Sequence, residues 1–188
     1  MKEIMIDVDD VLNDWHGHFL SYVGLVTGKN YAVKDMPRWS LPDMTDVEAK
    51  AIHQDYIKAG YYREVPIRIE ARQALKDISN YRNILLCTAR ELTLHEDTKY
   101  WMRRNGLQKY HVTFEKDKVT LCKNRNITEI VDDHVDTVTK AADAGLTVYG
   151  VVRPYNIDVI NSNKKIIPVT GLDGILAHIN PIGMSQCE

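Results

Sequence analysis

Residues 4–15 read IMIDVDDVLNDW, an apolar triplet that runs straight into Asp7, Asp9 and Asp10. Ile4, Met5 and Ile6 are apolar at consecutive positions, so the strand they form is buried on both faces, as in a parallel sheet covered by helices. Similar short apolar runs recur at 84–87, 111–114, 129–131, 147–152 and 165–169. Helical patterns fall between them at 71–79, 94–105, 136–144 and 172–179. Gly106 and Gly145 stand where a helix C-cap takes a left-handed residue. Strands alternating with helices of this length predict an α/β fold with a doubly wound, Rossmann-like parallel sheet.

One interval breaks the rhythm. From Trp15 to Ile69 no buried strand is legible, while Trp15, Phe19, Tyr22, Tyr31, Trp39, Tyr56, Tyr61 and Tyr62 accompany helical patterns. Such a stretch is too long for an ordinary connection inside a compact domain. It reads as a small helical insert after the first strand, with 1–14 and 70–188 forming the α/β core and 15–69 the insert. Loops leaving the carboxyl edge of such a sheet overhang the ligand crevice.

Composition bounds the answer further. The chain has 188 residues, 44% hydrophobic and 27% charged, which suits one core with a small insert and excludes disorder throughout. With 24 basic and 26 acidic side chains there is no global basic field to hold a nucleic-acid duplex. No apolar run approaches the roughly 20 residues of a membrane span. Acids fall inside any would-be signal segment at the N-terminus. Cys87, Cys122 and Cys187 are too few and too scattered for a zinc site or a disulfide framework. A cytoplasmic protein is expected, with no membrane partner and with a homodimer left open. The polar tail, 180–188, is expected to be poorly ordered.

Three strand candidates end in polar clusters: Asp7-Val8-Asp9, Thr88-Ala89-Arg90 and Asp132-Asp133. In a parallel sheet those ends share one edge, so acids distant in sequence converge on one crevice. An oxygen-only donor set suits a hard cation such as Mg²⁺. A carboxylate there can act as nucleophile toward a phosphate ester, provided that positive charge offsets the repulsion. A metal and a lysine would supply it, a threonine hydroxyl and backbone N–H groups would hold phosphoryl oxygens, and a second, protonated carboxylate would serve the leaving group.

The order Asp-x-Asp, apolar-Thr, Lys, Asp-Asp resembles the haloacid dehalogenase-like phosphohydrolases over most of the chain. IMIDVDDVLNDW, TGKNYAVKDMPRWSL, AGYYREVPIRIEARQALKDI, LLCTAR and EKDKVTLCKNRNITEIVDDH look most like the 5'(3')-deoxyribonucleotidase group, whose small helical cap supplies an apolar base pocket. The resemblance implies Mg²⁺ and an aspartyl-phosphate intermediate, with Asp7 as nucleophile and metal ligand. Asp9 would be general acid/base, its carbonyl facing the metal. Thr88 and Ala89 would bind phosphate, and Asp133 with Asp132 would complete the metal site. Lys118 would be the lysine, chosen over Lys116 and Lys123 by its spacing from the Asp-Asp pair. The family commonly has glycine after the second aspartate; Asp10 stands there in this chain, an extra carboxylate able to shift neighbouring pKa values.

Each residue has a plainer reading. Aspartates and Thr88 at strand ends commonly cap helices. Trp39, Tyr61 and Tyr62 either stack on a base or form the insert's own core. Arg90 reaches substrate or makes a salt bridge, and Arg153 stands likewise at a strand end. His134 is expected to be a surface or hydrogen-bonding residue, since Mg²⁺ rarely takes imidazole; His16 and His18 are expected in the insert or at the surface, with substrate contact the alternative because they lie close to the first motif. Residues 24–29, GLVTGK, fall short of a phosphate-binding loop, lacking its length and its Ser/Thr. Cys87 and Arg90 are too close for a cysteine phosphatase loop. The expected activity is phosphomonoester hydrolysis on nucleoside monophosphates, plausibly deoxyribonucleotides, because a closed apolar pocket leaves a 2'-hydroxyl unpaired. Another small phosphate ester or a polynucleotide 3'-phosphate is the nearest alternative, although no basic groove supports the latter. A phospho-accepting or nucleotide-binding regulatory domain is the alternative of another class.

Overall fold

The computed structural model describes residues 1–35, 41 and 43–180. Trp39, Cys187 and the tail from 181 onward lie outside the described residues. In chain order the elements are β1 (Glu3–Asp7), α1 (Trp15–Thr27), α2 (Asp46–Lys58), α3 (Ala71–Ile78), β2 (Asn83–Thr88), α4 (His95–Arg104) and β3 (His111–Phe114). They continue with α5 (Lys118–Arg125), β4 (Glu129–Asp132), α6 (Val135–Asp143), β5 (Thr147–Val151), α7 (Ile157–Ser162), β6 (Ile166–Val169) and α8 (Leu176–Ile179). Short 3-10 turns at Val33–Asp35, Tyr61–Arg63, Leu92–Leu94 and Leu172–Ile175 complete the set.

All six strands are parallel, in the order β3-β2-β1-β4-β5-β6. The chain winds outward from β1 in one direction, returns, and winds outward in the other. The crevice of such a sheet therefore lies at the carboxyl ends of β1 and β4, where the winding reverses.

Side chains of β1 alternate between two packed faces, as a period of two requires. Met5 joins Leu85, Ile130 and Val148 under Cys122 of α5, Val138 and Ala141 of α6 and Ile160 of α7. Ile4 and Ile6 join Leu86 and Val131 under Leu75 of α3, Trp101 of α4 and Ile179 of α8. Trp15, Phe19 and Tyr56 of the insert belong to this second cluster. The insert aromatics pack on one another, Trp15 stacking on Phe19 and Tyr56 on Tyr61, in a layer continuous with this second cluster.

Gly106 and Gly145 adopt φ of 71° and 80° just past α4 and α6. The Gly106 and Leu107 amides bond back to the carbonyls of Arg103 and Met102, closing the helix end. The single helix expected over 172–179 is a 3-10 turn followed by one turn of α-helix. Gly174 lies inside the 3-10 turn, where glycine weakens a regular α-helix. No helix among the described residues is long and apolar enough to cross a membrane.

Candidate active site

The parallel register brings the polar strand ends together. Ile6 pairs with Val131, so Asp7 and Asp132 leave adjacent strands side by side. Asp7 pairs with Cys87, which leaves Thr88 one residue further along β2. Asp117 caps α5 by accepting from the Thr120 amide, and Lys118 is the first helical residue. From there the buried Lys118 ammonium donates to Asp7 Oδ1 at 2.6 Å and to Asp132 Oδ2 at 2.7 Å. Of the three lysines weighed from the sequence, Lys118 alone makes this bridge. Lys116 lines the cavity nearby, and Lys123 stands in the last turn of α5.

Asp7, Asp132 and Asp133 offer carboxylate oxygens that all lie within 4.8 Å of one another. Burial, opposed by Lys118 and reinforced by Asp132 and Asp9, pushes the Asp7 carboxyl up to about 7. Burial, with Asp10, Asp7 and Asp132 nearby, holds Asp133 well above the usual carboxylate range. Lys118 keeps its proton, since Asp132 and Asp7 outweigh its burial. Were all three carboxylates ionised, one ammonium would leave two negative charges uncompensated, and that repulsion is part of what raises Asp7 and Asp133. A hard divalent cation on oxygen donors supplies that complement, so the residues fit Mg²⁺. Asp133 gives one oxygen to the Tyr155 hydroxyl at 2.5 Å, leaving the other open toward a cation. Asp132 accepts from Lys118 on one oxygen and from the His134 amide on the other.

Asp9 departs from expectation. It was expected to be held protonated, but Arg90 donates to both of its oxygens, at 2.8 and 2.6 Å, and Asn13 adds a bond at 3.0 Å. Although burial works in the opposite direction, the Arg90 guanidinium holds Asp9 below the usual carboxylate range, as the anion. Arg90 is itself buried, bonds Thr98 and lies 4.5 Å over the Tyr62 ring. It links sheet edge to insert, and the alternative of a solvated surface salt bridge is excluded.

Asp10 has φ 59°, a left-handed conformation that explains a glycine preference at this position. Aspartate tolerates it, and the side chain accepts from His16 Nδ1 at 2.6 Å and from the His16 amide. Its carbonyl is held by two Arg153 nitrogens, so Arg153 ties the β5 loop to the β1 loop. The extra carboxylate does act on a neighbour, being the largest charge that raises Asp133.

A cavity of about 890 Å³ opens over this edge. Asp7, Asp9, Ala89, Arg90, Lys118 and Asp133 line one side. Trp15, His53, Ile57 and Tyr62 of the insert line the other with Leu94. Thr88 is fully buried behind the lining, its hydroxyl accepting from the Arg90 amide. Tyr61 is outside the cavity, packed on Tyr22 and Tyr56. Tyr62 reaches the cavity, but Arg90 covers its ring, so it is a wall and not an open stacking platform. His16 and His18 are not part of the lining, whereas His134 is. Burial drives the Cys87 thiol up to about 12, which removes it as a nucleophile.

Tyr155, Asn156 and His53 were missed in the sequence. The first two follow β5 at the same carboxyl edge, a signal that was available; Asn156 donates to the Asp133 carbonyl at 2.6 Å. His53 had none, because the face that α2 turns inward depends on its packing with α1.

No family model matches the chain, and no curated protein does. Solved structures do match. A haloacid dehalogenase-like family hydrolase from Streptococcus pneumoniae is 13% identical with TM-score 0.70, over 95% of this chain and 98% of that one. An HAD family hydrolase from Deinococcus radiodurans R1, solved with bound phosphate and sodium, is 12% identical with TM-score 0.72, over 97% and 96%. A protein described as a candidate phosphoglycolate phosphatase from Lactobacillus plantarum is 12% identical with TM-score 0.64, over 94% and 99%. The chain has the α/β fold of the haloacid dehalogenase-like hydrolases.

Proposed function

We propose that this protein is a Mg²⁺-dependent phosphomonoesterase that hydrolyses nucleoside monophosphates, deoxyribonucleotides included, through an aspartyl-phosphate on Asp7. The observation that carries the reading is the Lys118 ammonium bridging Asp7 and Asp132 beside Asp133, at the floor of a cavity whose far wall is apolar and aromatic. The phosphate bound in the Deinococcus structure supports a phosphoryl site in this fold.

Asp7, Asp133, Asp132 and the Asp9 carbonyl would hold the cation, which supplies positive charge against the phosphoryl oxygens. An Asp7 carboxylate oxygen attacks phosphorus, and the bond to the ester oxygen breaks. Lys118 neutralises Asp7 and the incoming phosphoryl group, while the Ala89 end of β2 offers a backbone N–H. The leaving alkoxide takes a proton from Asp9. Water then attacks the phosphorus, returns a proton to Asp9, and releases phosphate and Asp7. In the structure Asp9 is the anion paired with Arg90, so before the first step Arg90 has to release it and Asp9 has to take up a proton from the substrate monoanion or from water as the substrate enters. The dianionic phosphate is the natural competitor for that guanidinium.

The name of the Lactobacillus protein favours one other reading, a small phosphate ester that is not a nucleotide. Phosphate release from ribo- and deoxyribonucleoside monophosphates, phosphoglycolate and an aryl phosphate, with Mg²⁺ and with EDTA, tests both. Metal-dependent release concentrated on a few nucleotides is the expected result. Release from the other esters alone would keep the acids and discard the nucleotide.

A further inference from the structure

The turn that leaves β5, residues 152–156, carries no acid, yet it grips both segments that present the acids. Two Arg153 guanidinium nitrogens donate to the Asp10 carbonyl at 2.9 and 2.6 Å, on the loop after β1. Asn156 donates to the Asp133 carbonyl at 2.6 Å and to the Val151 carbonyl at 2.9 Å, after β4 and at the end of β5. Its side-chain oxygen accepts from the Arg153 amide at 2.7 Å, so the turn is closed on itself. Tyr155 is held between these anchors and buried, its ring 4.6 Å from the ring of His16, which Asp10 fixes in turn. The Tyr155 hydroxyl is therefore aimed by packing, and it lies 2.5 Å from Asp133 Oδ2.

That contact limits what Asp133 can offer. With a cation bound Asp133 is a carboxylate, an acceptor only, so the hydroxyl is the donor. Turning both carboxylate oxygens toward one cation would pull Oδ2 off a buried hydroxyl, which costs free energy. Mg²⁺ is content with one oxygen from a carboxylate, in a tight octahedron at about 2.0–2.1 Å. Ca²⁺ gathers about 6–8 oxygens at roughly 2.3–2.6 Å, and taking both oxygens of a carboxylate helps it reach that number. We infer that Tyr155 is a positioning residue that holds Asp133 to a single cation-facing oxygen and so makes the acid cluster select Mg²⁺ over the larger Ca²⁺. The inference rests on the cation site of the proposed function and assigns its selectivity to a residue outside the acid cluster.

The test is binding of Mg²⁺ and of Ca²⁺ without substrate, each Kd taken from melting temperature against cation concentration. Wild type, Tyr155→Phe, Asn156→Ala and Asp133→Asn are compared. Tyr155→Phe keeps the ring against His16 and removes only the hydroxyl, whereas Asn156→Ala loosens the turn and leaves the hydroxyl in place. The wild type is expected to bind Mg²⁺ the more tightly. In Tyr155→Phe the Kd for Mg²⁺ rises about tenfold or more while that for Ca²⁺ stays within about threefold, so the preference shrinks. In Asn156→Ala both cations weaken alike, and their ratio stays within about twofold of wild type. A wild type that prefers Ca²⁺, a preference unchanged in Tyr155→Phe, or one that shrinks as far in Asn156→Ala overturns the inference. Cation responses equal in wild type and Asp133→Asn overturn the cation site itself and this inference with it, so the two failures are told apart.

Discussion

The sheet edge and the helical insert face each other across one cavity and hold their polar groups in different ways. At the edge, charge meets charge: Lys118 bridges Asp7 and Asp132, and Arg90 grips Asp9. In the insert two half-buried imidazoles pair with tyrosine hydroxyls, His18 with Tyr56 at 2.7 Å and His53 with Tyr62 at 3.0 Å, set among aromatic rings, while the buried His16 reaches back to the Asp10 carboxylate. Buried charges are tolerated only when paired, and each partner becomes dependent on the other. Neutral pairs satisfy their hydrogen bonds at less expense and leave a wall suited to shape and edge recognition. Under the proposed function, reaction belongs to the edge and selection to the insert.

The largest effect expected from breaking that contrast is at Lys118. Lys118→Ala leaves Asp7 and Asp132 facing each other without a cation, and urea unfolding of the metal-free protein should show a loss of about 3–5 kcal/mol. A change below about 1 kcal/mol would mean that the edge is not held by charge pairing. Next comes Arg90→Leu, which strands the Asp9 carboxylate and removes the contact with Tyr62. It should lower stability by about 2 kcal/mol and kcat by about tenfold or more. Arg90→Lys keeps the charge but not the two-pronged grip, and should fall between.

Tyr62→Phe probes a neutral pair and should cost only about 1 kcal/mol, with kcat for an aryl phosphate nearly unchanged. The smallest effect is a pH dependence. Burial holds His18 and His53 below the usual histidine value of 6.5, so the unfolded chain binds more protons once pH falls through 6.5. Stability should drop on acidification from that point, and the drop should be shallower in a His18→Gln/His53→Gln double variant. Equal slopes in thermal melts across that window would show the two rings to be unburied in solution.

Much of the edge was legible because strand period and parallel pairing act on short segments. Ile4–Ile6 had to be buried on both sides, and Asp7 had to emerge where they end. The acids of β1 and β4 then meet through register alone. What resisted reading depends on contacts between distant elements. Lys118 is distinguished from Lys116 and Lys123 by the start of α5 behind the Asp117 cap. The Asp9–Arg90 pair spans 81 positions, and it turned an expected acid into an anion. In the insert, apolar and aromatic residues signalled helices, but not which faces meet. Tyr61 and Tyr62 are neighbours in sequence, yet one packs away from the cavity and the other lines it.

The central claim is that Asp7 is phosphorylated during turnover. Wild-type protein would be acid-quenched during turnover of a phosphate ester with Mg²⁺, reduced with borohydride, and its peptides analysed by mass spectrometry. Homoserine at position 7, absent without substrate and absent in Asp7→Asn, is the predicted result. Steady turnover with no modification at Asp7, or with the phosphoryl group trapped on another residue, would contradict it.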